Sequence, residues 1–149
     1  MKGTLQTMAI QQVSVRLDNV PGALTKLVDI LDKEDIKVKA ISAASTEEHS
    51  TLRVVVNDPQ KAVTILESFN FNIHVDPVIA VEVPCHPGGM NAIVKPLAEG
   101  DVNIHYIYTT IERLGKETIM IIGCDRIERA VEILSQHWVN FVGDEIYSL

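Results

Sequence analysis

The chain has 149 residues, 46% of them apolar and 22% charged, which suits one soluble globular domain or two small ones. Its net charge of −7 argues against nucleic acid as a partner, because phosphate binding relies on clustered Lys and Arg. Apolar runs are broken every few residues, short of the roughly 20 that a membrane span needs. Cys85 and Cys124 lack CxxC spacing and read as structural thiols in a reducing compartment.

The opening residues, MKGTLQTMAIQQV, hold one lysine and no long apolar core, so no signal peptide is expected and the protein is expected to be cytoplasmic. Val13, Val15 and Leu17 then alternate as a strand with one buried face. The strand ends in Asp18-Asn19-Val20-Pro21-Gly22, and Leu24, Leu27, Val28 and Leu31 follow at the spacing of one helix face. A charged turn, Asp32 to Lys39, leads into a second strand marked by Ile36, Val38 and Ala40. A polar hairpin tip from Thr46 and a third strand through Leu52, Val54 and Val56 come next. Asp58 as N-cap and Pro59 in the first turn open a second helix, and a last strand is expected around Phe71 to Val75.

The remainder repeats this order. With Pro21-Gly22 laid over Pro87-Gly88, a shift of 66 positions (87 − 21 = 66), the first strand, first helix and second strand find counterparts. These are Ile79, Val81 and Val83, then Met90, Ile93, Val94 and Leu97, then Val102, Ile104 and Tyr106. Asp35 and Asp101 fall at equivalent turns. After a slightly longer second hairpin the shift is 68 (130 − 62 = 68), so Met120, Ile122 and Cys124 match the third strand and AVEIL matches AVTIL. A final strand is expected around Phe141 to Ile146, and Pro96 should bend or end its helix.

Each half therefore reads β-α-β-β-α-β, and the fold class is α+β. Two tandem ferredoxin-like units are expected, residues 1–76 and 77–149, each an antiparallel four-stranded sheet with both helices on one face. Alternation places Ser14, Arg16, Lys39, Ile41 and Ala43 on the other face of the first sheet. In the second, Ala80, Glu82, His105, Ile107 and Thr109 take those places, with Tyr106 and Tyr108 on the helix side.

A strand that enters a helix this abruptly leaves several backbone N–H groups without helical partners. Gly22 permits close approach, and the helix dipole adds to a small anion site suited to a carboxylate. Asp18 and Asn19 offer acceptors for an ammonium group. Two readings stand on spacing alone: an amino-acid site, or a capped helix behind a Pro-Gly turn that binds nothing.

DNVPGAL after a strand, opening a helix in a βαββαβ unit that occurs twice, resembles the ACT domain family. Nearly the whole chain is similar to small stand-alone proteins made of two ACT domains. The resemblance implies a non-catalytic regulatory protein, not an enzyme, that binds a small ligand, usually an amino acid, where ACT units meet. In the first half the implied ligand-binding positions are Asp18, Asn19, Val20, Pro21, Gly22, Ala23 and Leu24. In the second, Pro84 and Cys85 replace Asp18 and Asn19, so the acidic acceptor is gone. His86, Gly88, Gly89, Met90 and Asn91 are the candidates there, and either both sites bind or one dominates. A homodimer is implied and, as the alternative reading, a regulatory subunit for a partner enzyme of amino-acid synthesis such as a branched-chain pathway, with no cofactor and no nucleic-acid or membrane partner. Cys85-His86 is a poor nucleophile–base pair because sequence neighbours at a strand end point apart, and the histidines lack metal-ligand spacing with the cysteines.

Overall fold

The computed structural model describes residues 8–112, 115 and 117–149; residues 1–7, read above as no leader, lie outside it. The chain divides into two compact units, Gln11–Asp76 and Pro77–Leu149, the latter joined by the start of the chain through Ile10. The elements in order are β1 (Ala9–Asp18), α1 (Ala23–Lys33), β2 (Val38–Ser45), β3 (His49–Val56), α2 (Pro59–Ser68) and β4 (Asn72–Val83). They continue with α3 (Asn91–Glu99), β5 (Ile104–Thr109), β6 (Thr118–Cys124) and α4 (Ile127–Gln136), and close on a 3-10 helix, Asp144–Ser148.

In the first unit the strand order is β2-β3-β1-β4, with antiparallel β1–β3 and β2–β3 pairs. This is the ferredoxin-like order, with Val13, Val15 and Leu17 of β1 buried beneath Leu27, Leu31, Ala62 and Leu66 of the two helices. Asp58 caps α2 as its sequence predicts: the Lys61 N–H donates to the Asp58 carboxylate at 3.0 Å, with Pro59 in the first turn. In the second unit β5, β6 and β4 pair antiparallel over an equivalent core that includes Ile79, Val81, Ile93, Leu97, Ile122 and Leu134.

The expected last strand at Phe141–Ile146 does not form. Only residues 140–142 pair with β4, through Glu82 N–H to Asn140 O (2.9 Å) and Val142 N–H to Ala80 O (2.8 Å). The start of β1, which falls in this unit, borders β4 on that same edge, so little of the edge is left to pair. The chain turns instead into the 3-10 helix and buries Ile146. The strand expected at Phe71–Val75 and the first strand of the second half are one strand, β4, running through Pro77. Nor does Pro96 end α3; the helix continues to Glu99, with the Pro96 ring buried.

Two irregularities overturn the expected faces. The register slips between Val38 and Ala40 and again between Ile104 and Tyr106. An extra residue in a strand reverses every side chain after it. Ile41 and Ile107 therefore pack into the helix-covered cores, and Tyr106 and Tyr108 turn to the helix-free face, their ring centroids 6.3 Å apart.

The four α-helices α1 to α4 end alike. Asp35, Asn70, Asp101 and Trp138 take positive φ (56, 61, 58 and 59°), and the residue after each donates to the carbonyl five positions back, as in Ile36 N–H to Leu31 O. These are Schellman closures, in which a left-handed residue lets the last helical carbonyls find partners.

Tyr106 lies over Gly123, where a methyl group would stand 2.1 Å from the ring. Gly123→Ala should therefore cost about 1–3 kcal/mol through overpacking, read as a lower urea midpoint with an unchanged slope.

Candidate functional site

Between β1 and α1 of the first unit, the Val20 N–H bonds Asp18 O (2.9 Å), the Ala23 N–H bonds Val20 O (3.3 Å) and the Lys26 N–H bonds Gly22 O (3.0 Å). Among the described residues the N–H groups of Gly22, Leu24 and Thr25 have no protein acceptor, and Pro21 has no N–H to offer. Gly22 sits at φ 87°, a left-handed conformation that glycine adopts without steric cost and that sets the angle at which the chain enters α1. No side chain caps this helix, so the simple capping role for Asp18 and Asn19 does not apply.

An open groove of about 460 Å³ runs past this turn, lined by Arg16, Asp18, Val20, Gly22, Ala23 and Lys26 and, from the end of α2, by Asn70, Phe71 and Asn72. Arg16 and Lys26 form no ion pair, and the Asp18 carboxylate has no partner, among the described residues. Two cations, one free carboxylate and open amides share one surface. Of the other candidates, Leu24 stands exposed beside the groove, and Asn19 turns away from it. The Asn19 side chain donates to Thr46 O at 3.0 Å and its N–H to Glu48 O at 3.2 Å, tying the turn to the β2–β3 hairpin tip.

The second unit repeats two of these three backbone bonds, and the Val20–Asp18 bond has no counterpart between His86 and Pro84. Gly89 N–H reaches His86 O and Ala92 N–H reaches Gly88 O, each at 3.0 Å. The N–H groups of Gly88, Met90 and Asn91 have no acceptor among the described residues, the same three positions as in the first unit. Gly89 stands where the first unit has Ala23; a methyl group there would lie 2.1 Å from Pro84 O, so this turn is pulled tighter onto its strand. His86 bonds back to Pro87 O through Nδ1 (2.9 Å), which leaves Nε2 as the open nitrogen of an exposed ring.

The matching groove, about 310 Å³, is lined by Glu82, Pro84, Ala92, Ile93, Glu117, His137, Trp138, Val139 and Asn140. Acidic acceptors are thus present in the second unit after all, on Glu82 and Glu117 rather than at position 84. Sequence reasoning missed Arg16, Lys26, Glu117 and the residues following α2 and α4 as groove walls. The signal for the helix ends was the Asn70 and Trp138 turn after each second helix; Glu117 had none, since only the β4–β6 register sets it beside Pro84, as His49 sits opposite Asp18. Tyr106 and Tyr108 do not line the Trp138 groove.

Cys85 is exposed and lies 3.6 Å from Thr118 Oγ1, with His86 turned to its own backbone, so no nucleophile–base pair forms. Among the described residues no three His, Cys, Asp or Glu side chains gather to hold a metal ion, and no helix is long and apolar enough to cross a membrane. Burial pushes the Cys124 thiol above its ordinary pKa, with the Asp125 charge acting in the same direction against a backbone hydrogen bond from Arg126.

A family profile described as an ACT domain pair matches residues 8–148. A Bacteroides thetaiotaomicron protein of known structure superimposes with a TM-score of 0.88 at 26% identity, covering 95% of this chain and 98% of that one. The ligand-free regulatory subunit of aspartate kinase from Thermus thermophilus gives 0.61 at 17% identity, over 89% and 93% of the two chains. The corresponding Thermus flavus subunit gives 0.57 at 18%, over 88% and 94%. The two kinase subunits share the fold. No curated protein matches the sequence.

The two thiols should separate kinetically. At mildly alkaline pH a thiol reagent should modify exposed Cys85 quickly and Cys124 slowly, and Cys85→Ala should abolish the fast phase in a mass-resolved time course.

Proposed function

This chain belongs to the ACT domain pair family, and we propose that it is a non-catalytic regulatory protein that binds an amino acid at the β1–α1 turn. The observation that carries this reading is the set of three backbone N–H groups left open at the same positions in both units: Gly22, Leu24 and Thr25, and Gly88, Met90 and Asn91. Such donors at a helix start suit a carboxylate. In the first unit the unpaired Asp18 carboxylate beside them suits the ammonium group of the same ligand, and Arg16 and Lys26 add to the pull on the anionic end. Asp18, Val20, Pro21, Gly22, Ala23 and Leu24 form this first site; Gly88, Gly89, Met90 and Asn91 repeat its backbone donors.

Exposed apolar side chains surround the open amides: Val20 is 58% exposed, Leu24 42% and Met90 50%. Leu24 and Met90 occupy equivalent positions and leave the helix face that their sequence spacing assigned to the core. This pattern favours a second protein surface over the turns, in a homodimer or against an enzyme of amino-acid synthesis that the protein regulates. The shared fold of the aspartate kinase regulatory subunits is compatible with that second reading.

A thermal-shift screen of the twenty amino acids tests the first reading. An amino acid present at 100 times its dissociation constant should stabilise the protein by about 2.7 kcal/mol. Asp18→Ala should leave the ligand-free melting temperature unchanged, because its carboxylate has no partner to lose, yet weaken binding by about tenfold or more. No shift with any amino acid at millimolar concentration overturns the reading.

A further inference from the structure

Asn19 turns away from the first groove, and what it holds instead belongs to another part of the sheet. The last cross-strand pair of β1 and β3 sets Asp18 opposite His49. Asn19 carries that ladder one step further, its N–H donating to Glu48 O at 3.2 Å. Its side chain then reaches over the hairpin tip, with Nδ2 donating to Thr46 O at 3.0 Å and lying a longer 3.5 Å from Glu47 O. Three consecutive carbonyls of the β2–β3 tip thus turn toward one residue of the β1–α1 turn.

The tip is closed by bonds of its own. The Thr46 N–H donates to His49 O at 2.8 Å, and the His49 N–H donates to Thr46 Oγ1 at 3.3 Å. One pair further back, the Ser45 and Ser50 hydroxyls meet at 2.7 Å. The turn that Asn19 starts is less well held. Asp18 to Gly22 are all exposed, and the bonds within the turn are local, Val20 N–H to Asp18 O at 2.9 Å and Ala23 N–H to Val20 O at 3.3 Å. A segment with so few buried contacts does little to fix the direction of its own amides. Gly22, at φ 87°, adds a pivot just ahead of the open N–H groups of α1.

We propose that Asn19 is a positioning residue of the first site: its bonds to the hairpin tip hold the Gly22, Leu24 and Thr25 amides in place for a carboxylate and carry occupancy of the groove to the tip. The proposal rests on the amino-acid reading of that groove, and in it Asn19 makes no contact with the ligand. Ordering a loose loop costs affinity at every binding event, so a turn fixed beforehand binds more tightly. Linkage makes the effect reciprocal: whatever loosens the tip weakens binding in the groove, and a bound ligand stabilises the tip by the same free energy. Thr46, Glu47 and Glu48 are exposed, so a partner can read occupancy there without reaching the groove. At the position of Asn19 the second unit has Cys85, whose single weak S–H donor cannot serve two carbonyls as an amide does.

The first test needs no ligand. In Asn19→Ala, checked for native far-UV circular dichroism, the NMR signals of the Gly22, Leu24 and Thr25 amides should move or broaden together with those of the tip. Thr46→Ala, which removes the hydroxyl that closes the tip, should displace the same three signals from the other side. For the second test the probes are the twenty amino acids of the melting screen, each added singly at millimolar concentration. An amino acid that binds the wild type should bind Asn19→Ala about fivefold or more weakly. Asn19→Asp should be at least as weak, because a carboxylate of the same size faces the carbonyls without a donor. Asp58→Ala, which removes the α2 cap and lowers stability elsewhere in the unit, should keep full affinity and so separates positioning from stability. In the wild type the bound amino acid should shift the Thr46–His49 amide signals, and in Asn19→Ala that shift should vanish. Unmoved Gly22, Leu24 and Thr25 signals in both variants, full affinity in Asn19→Ala, or a tip that is silent to a bound amino acid overturns the proposal. Turn and tip that move together in a protein to which no amino acid binds overturn the amino-acid reading alone and uphold the coupling.

Discussion

A backbone that leaves a strand and enters a helix within a few residues cannot satisfy all of its own amide hydrogens. The first turn of any helix has N–H groups with no carbonyl behind them, and here no side chain caps them. Both units share one N–H bonded back into the loop and one closing the first helical turn, and both leave the same three without an acceptor among the described residues. The proline of each turn removes a further donor, and the glycine after it takes the left-handed conformation that the change of direction requires. The candidate sites follow from this shortage of acceptors rather than from any cluster of reactive side chains.

Around that common backbone the side chains diverge. The groove beside each turn is closed by the end of the unit's second helix, whose left-handed residue is Asn70 in one case and Trp138 in the other. Glu82 and Ala92 stand where the first unit has Arg16 and Lys26, while the two bonds that close the turn, at Gly89 and Ala92, are kept. Turn geometry and groove chemistry are therefore set by different residues, so one scaffold can present two different surfaces. Gly89 shows where the two are coupled: only a residue without Cβ lets Pro84 O approach so closely, and Ala23 in the first unit marks a looser turn.

Much of the fold was legible because burial imposes a period. Val13, Val15 and Leu17 had to alternate, Leu27 and Leu31 had to share a helix face, and the same pattern recurred 66 positions later. The faces of β2 and β5 were not legible, since a single extra residue reverses inside and outside with no compositional mark. Leu24 and Met90 misled for a related reason: helical spacing assigned them to the core, but each stands at the helix start, beyond the reach of the sheet. The turn residues of the candidate site could be found because Pro and Gly restrict the backbone locally; Lys26 and Glu117 could not, because they reach the grooves only once separate elements are packed.

The sequence by itself determined the α+β class, the duplicated βαββαβ order and the two Pro-Gly turns, all consequences of local stereochemistry and of apolar periodicity within one element. Tertiary structure alone decided that the last strand of the second unit shrinks to residues 140–142, that Tyr106 lies over Gly123 on the helix-free face, and that Glu117 joins Glu82 beside Trp138. Those outcomes depend on which strand edges are already occupied and on the register of neighbouring strands. Both are properties of pairs of segments distant in the chain, and no single segment carries them.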